Sequence, residues 1–192
     1  MADEDKTAAR DDAFRSFARM SNPEVLQQNL IVAGLYLVAY ELLRGVVVDH
    51  LRGFFSGAGI DGAPDGRHAD RVLALYPKDV FQASCLWFRN QGAITDEDLA
   101  EIQAIRDHRN ALSHELPSFI ADADRQLEAS RLERIRFLIA RINLWWVREI
   151  EIPVNPDFDG RHIADEEIGL PIVAFLDLVL TTALQAGKGR SH

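Results

Sequence analysis

The chain has a single cysteine among its 192 residues. Cys85 has no partner for an intramolecular disulfide, which excludes the cysteine framework of small secreted domains. It sits in the apolar run Ala83-Ser84-Cys85-Leu86-Trp87-Phe88, where a buried structural thiol is the expectation. Metal-ligand patterns are equally scarce. The histidines stand scattered at positions 50, 68, 108, 114, 162 and 192, with no His-Glu-x-x-His and no Cys/His pairing, so no metal site and no cofactor is expected. The glycines at 57, 59, 62 and 66 have neither the lysine nor the preceding strand of a phosphate loop. No nucleophile-elbow motif supports a Ser/His/Asp triad. No strand alternation of any length and no internal repeat are present.

Long apolar runs are missing too. The longest, Leu30 to Tyr40, is closed by Glu41, and eleven residues are too few to span a bilayer. The start, Met1-Ala2-Asp3-Glu4-Asp5-Lys6, is acidic and polar, unlike a secretory signal. The expectation is a cytoplasmic protein without membrane association. There is no basic excess: the net charge of −9 excludes a protein that holds nucleic acid by bulk electrostatics. The charge is uneven, however. Residues 101–150 carry eight Arg against eight Asp or Glu, so this stretch is neutral while both flanks are acidic.

What is present is helical periodicity. Hydrophobic residues make up 47% of a chain long enough for one domain with a sizeable core. Residues 1–20 read as a flexible acidic segment, with Phe14 and Phe17 as a short amphipathic element. Ser21-Asn22-Pro23-Glu24 reads as a capping box that opens a helix running to about Phe55. A Gly-rich loop follows to Gly66. Short helices are expected over His68–Tyr76 and from about Lys78 to Asn90, the latter stopping at Gly92. Thr95 caps the next helix, which has acids in its first turn and ends near Glu115 because Pro117 disfavours helix at Leu116. A long Arg-rich helix is expected from about Asp122 to Ile150, a loop over 152–160, and a last apolar helix from Leu170 to Ala186. The resulting expectation is an all-α bundle of five or six main helices, a single domain over 21–186, with a disordered tail at 187–192.

One helix carries an anomaly. After Thr95 its apolar residues are Leu99, Ile102, Ile105, Leu112 and Leu116, and position 109 fills the missing beat of that stripe. Arg109 therefore stands where a core residue belongs, which is costly unless the charge is paired or faces a polar cleft. His114 follows five residues later. At about 100° per residue the two lie about 140° apart and do not converge on a straight helix. Either the last turn is distorted or a site using both is shared between two subunits. Asn110 and His114 share a face, and Arg106 stands one turn before Asn110.

Arg109-Asn110-Ala111-Leu112-Ser113-His114 resembles the Arg, polar residue, three residues, His motif of HEPN domains. The setting is similar as well: Trp87-Phe88-Arg89-Asn90-Gln91-Gly92-Ala93-Ile94-Thr95, then a helix that reaches Ile105-Arg106-Asp107-His108-Arg109-Asn110. The resemblance covers roughly residues 25–150. It implies a HEPN-like bundle that dimerises with two motifs facing across the interface. It implies a metal-independent endoribonuclease of toxin–antitoxin, phage-defence or RNA-processing type, although some such domains only bind. The partners implied are an RNA substrate, a second copy of the chain, and an antitoxin or nucleotidyltransferase.

The chemistry suits those residues. Cleavage by the 2′-OH needs a base, an acid and a cation for the phosphate. Histidine titrates near neutral pH and serves the first two needs, so His114 would handle protons. Arg109 would fork onto the phosphate oxygens as charge develops. Asn110 would orient the His or the phosphate, and Arg106 and His108 are the weaker candidates for substrate contact. Structural alternatives stand beside these. Arg109 would pair with an acid on a neighbouring helix, and His114 would only cap a helix C-terminus. Arg134, Arg141 and Arg148, seven apart, form a solvated or salt-bridged face rather than an RNA track. Trp87, Trp145 and Trp146 belong to the core. The competing functions are a non-catalytic HEPN-like module that binds nucleotide, RNA or protein, and a helical scaffold.

Overall fold

The computed structural model describes residues 21–55, 66–121 and 129–188, with side chains given outside 120–129 and 183–188. The expectations for residues 1–20, for most of the Gly-rich loop, for the start of the Arg-rich helix and for the end of the tail lie outside the described residues.

The described chain is all-helical, with no strand. In order come α1 (Pro23–Phe55), α2 (Arg67–Arg71), a 3-10 turn (Leu73–Leu75), α3 (Val80–Asn90), α4 (Asp96–His114), α5 (Leu116–Ala121), α6 (Ala129–Trp146), a π turn (Val147–Glu151), α7 (Ile152–Val154), two further 3-10 turns and α8 (Pro171–Lys188). Five of these, α1, α3, α4, α6 and α8, have eleven residues or more and make the bundle.

α1 is the central rod. It packs against α6 most extensively, and also on α3, α8 and α4. Tyr36, Ala39, Leu43, Val47 and Leu51 are all buried, and their steps of three and four place them on one face. α4 adds Ile102, Ile105 and Leu112, and α6 adds Leu132, Ile135, Leu138, Ile139 and Ile142. Phe55, Trp87, Phe88, Trp145 and Trp146 meet edge-to-face at one end of this core. By length and composition α1 would suffice to cross a bilayer, although no uninterrupted apolar run in it would. Half of its most apolar stretch is buried inside the bundle, as happens in a core helix.

Several local expectations change. The α1 cap is Asn22, not Ser21: its Oδ1 accepts from the backbone N–H of Glu24 at 3.0 Å and of Val25 at 3.4 Å. Pro23 takes the first helical position, so the cap must be the residue directly before it. The helix expected over His68–Tyr76 is two short pieces, α2 and a 3-10 turn. α4 does end next to Glu115, at His114, yet the chain turns helical again at once. Pro117 falls in the first turn of α5, where its missing N–H costs nothing. The expected loop over 152–160 contains α7 and a 3-10 turn started by Asn155, whose side chain caps Asp157. The Arg-rich helix ends as regular α-helix at Trp146 and continues as the π turn.

Candidate functional site

α4 is set in place at its N-terminus. Thr95 Oγ1 accepts from the Asp98 backbone N–H at 3.1 Å, and Asp98 Oδ2 accepts from the Thr95 backbone N–H at 2.9 Å. This reciprocal cap satisfies two backbone donors. The same Asp98 carboxylate, 3% exposed, meets Arg134 and Arg141 of α6, each at 2.8 Å. Arg141 also donates to the Ala93 carbonyl at 3.2 Å. Two of the three evenly spaced arginines thus tie α6 to the start of α4, and the third, Arg148, pairs with Asp165. Their face is salt-bridged.

Farther along α4, Ile102, Ile105 and Leu112 point into the core, and Arg109 occupies the gap between them. Its Nη2 donates to Glu41 Oε1 of α1 at 3.0 Å, and its guanidinium lies 5.4 Å from the Tyr40 ring centroid. Nη1 donates a long 3.4 Å bond to Asn110 Oδ1. Nε is buried and makes no hydrogen bond among the described residues. The side chain nevertheless stays 34% exposed. Tyr40 beneath it is buried, and that burial pushes its phenol above the ordinary value despite the nearby cations Arg106 and Arg109.

The structure brings Arg109, Asn110 and Arg106 into one neighbourhood. Arg106 pairs with Asp79 at 2.5 Å, beside the Phe81 ring. Asp79 is also the cap of α3, accepting from the Phe81 and Gln82 backbone N–H groups at 2.9 and 3.2 Å. Burial works to raise the Asp79 carboxyl. The Gln82 N–H, the Arg106 guanidinium and the Phe81 N–H outweigh it and hold it below the usual carboxylate range. Asn110 and Arg106 line an open cleft of about 410 Å³ together with Tyr76, Gln82 and Gln103.

His114 and His108 lie elsewhere. α4 is regular through His114, which is exposed at its last position, and the bend comes only afterwards. No distorted last turn turns His114 toward Arg109, and no hydrogen bond joins the two among the described residues. Ser113 Oγ instead donates back to the Arg109 carbonyl at 3.0 Å. His108 packs edge-on to Tyr36 and Phe119, with ring centroids 4.9 and 5.4 Å away. No group of three His, Cys, Asp or Glu side chains comes together for a metal among the described residues.

Residues that sequence reasoning missed are Glu41, Asp79, Tyr76, Gln82 and Gln103. Asp79 carried a readable signal, an Asp directly before an apolar helical run. Glu41 read only as the end of an apolar stretch, and nothing local ties it to Arg109. Compared with protein-family models, curated proteins and solved structures, the chain matches none. The HEPN-like reading therefore rests on the motif and its setting.

Proposed function

We propose that this chain is a HEPN-like, metal-independent endoribonuclease of toxin or phage-defence type, with a site shared between two copies. The observation that carries the reading is the placement of Arg109. A guanidinium stands in the apolar stripe of α4, a third exposed, beside a polar cleft. Burying such a group is costly, so its position calls for a use. The 2′-OH attacks the adjacent phosphorus, a base takes its proton, and an acid protonates the departing 5′ oxygen. Arg109 neutralises the charge that builds on the phosphate, and Asn110, bonded to it, holds its orientation. His114 of each copy supplies the proton transfers.

A straight α4 sends His114 about 140° away from Arg109, which supports a site completed by the partner's His114. The outer face of α1 supports a second copy next to that site. Leu30 and Val38 are 45% and 43% exposed, and Gly34 between them has open space where a Cβ would stand. At about 100° per residue these three and Glu41 share one face about 80° wide, and Glu41 holds Arg109. An antitoxin or nucleotidyltransferase encoded nearby is the partner such an enzyme calls for.

The test is incubation of purified protein with RNA in excess EDTA. Wild type cleaves, and Arg109→Ala and His114→Ala lose cleavage while the dimer survives in the latter. Full activity in His114→Ala overturns the reading. Gly34→Arg, measured by light scattering, yields a folded monomer without cleavage. One observation favours a second reading: Glu41 already engages Arg109, as a binding module or scaffold would arrange it. RNA binding without cleavage is the result a binding module expects; neither binding nor cleavage, with loss of folding in Arg109→Ala, is the result a scaffold expects.

A further inference from the structure

The cleft beside Arg109 has a composition unlike that of a phosphate site. One wall is the face of α4 that carries Gln103, Arg106, Asp107 and Asn110, at steps of three, one and three. The other is the approach to α3 and its first turn, with Tyr76 and Gln82. The only cation among the lining residues is Arg106, and Asp79 already neutralises it at 2.5 Å. Asp107 adds an unneutralised carboxylate, so the fixed charge of the cleft is negative. A phosphate is repelled there. What remains is suited to a planar, uncharged, hydrogen-bonding group. Tyr76, 44% exposed, offers an aromatic face. Gln82 and Asn110 offer amide N–H donors. Asp107 is acceptor-only when ionised, and its Oδ1 is steadied by Gln103 at 2.9 Å. The volume of about 410 Å³ lies within the range of small-ligand sites.

Resting on the RNA-cleaving reading above, we propose that this cleft is the nucleobase subsite of that site and selects guanine. The neighbouring phosphate goes to Arg109, and Asn110, bonded to Arg109, joins the two subsites. Guanine presents two adjacent donors, N1–H and the N2 amino group, to one carboxylate, and its O6 accepts from an amide. Uracil presents carbonyl oxygens on both sides of its single N–H and meets Asp107 with repulsion. Tyr76 stacks on the base irrespective of its identity.

The experiment is calorimetric titration of the full chain with guanosine, adenosine, cytidine and uridine, which carry no phosphate, and with inorganic phosphate. Guanosine should bind at least about tenfold more tightly than uridine, from the discrimination expected of one bidentate pair. Asp107→Asn should erase that preference, and Tyr76→Ala should weaken every nucleoside by about five-fold or more. His114→Ala, which lies outside the cleft, should leave guanosine binding intact. Equal binding of the four nucleosides overturns the proposal, as does displacement of guanosine by inorganic phosphate or an unchanged preference in Asp107→Asn. Guanosine selectivity in a protein that cleaves no RNA keeps the subsite and removes the nuclease. Cleavage without any such selectivity keeps the nuclease and removes the subsite.

Discussion

Arg109 and Glu41 meet at 3.0 Å, Nη2 to Oε1, from helices whose contacting residues stand 68 positions apart in the chain. Both side chains remain partly in solvent, at 34% and 50% exposure, so the pair contributes less than about 1 kcal/mol to stability. On the proposed RNA-cleaving reading its greater effect is on availability, because a carboxylate would compete with phosphate for the same guanidinium. Glu41→Gln should unfold within about 1 kcal/mol of wild type in urea and bind RNA more tightly at fixed salt. Weaker RNA binding in this variant would remove Glu41 as a competitor.

Asp98 is the opposite case. It is buried, its carboxylate accepts from the backbone N–H of the α4 cap residue Thr95, and it meets two arginines of α6. Removing its carboxylate takes the acid partner from both arginines and leaves the Thr95 backbone N–H without its acceptor. Asp98→Ala should lose about 2–4 kcal/mol in equilibrium unfolding, through the lost cap and the broken buried pairs. A loss below about 0.5 kcal/mol would show that α6 and α4 are held together by their apolar contacts alone.

Tyr36 sets an alkaline limit. Its hydroxyl donates to the Ile105 carbonyl at 3.0 Å, and burial pushes its phenol up to about 12. A folded-state value above the unfolded one means that the phenol's contribution is complete below pH 10. It is then lost as pH rises through about 12, because the unfolded chain ionises first. Tyr36→Phe should flatten the fall in stability over that window while costing about 1 kcal/mol at neutral pH for the lost hydrogen bond. An unaltered alkaline profile would place the titration on another group.

Cys85 should be silent in the native state. Burial is complete and pushes the thiol to about 12, so almost no thiolate exists at neutral pH. Labelling with a disulfide reagent should proceed at the rate of unfolding and become immediate in denaturant. Fast native labelling would contradict the packing of α3 against α1.

Much of the fold is legible locally because helix signals are local. Pro23 and the apolar content after it define α1 out to Phe55, and Thr95 with its following acids defines the start of α4. Gly92, with φ of 79°, is the left-handed stop after α3 that only glycine takes easily. Errors arise where two local signals compete: Ser21 against Asn22 for one cap, and Pro117 read as a terminator when it is an initiator. The hub on Asp98 was invisible because a first-turn acid looks the same whether it faces water or two arginines.

The Arg109–Glu41 pair shows where the division falls. The sequence by itself determined that Arg109 stands in an apolar stripe and that a straight helix separates it from His114, because the helical repeat fixes both. Only the tertiary structure decided that Glu41 and Tyr40 receive the guanidinium, that α4 stays straight through His114, and that Tyr76 and Gln82 face Asn110 across a cleft. Those facts depend on how helices distant in sequence pack together, and packing is set by the whole core rather than by any local pattern.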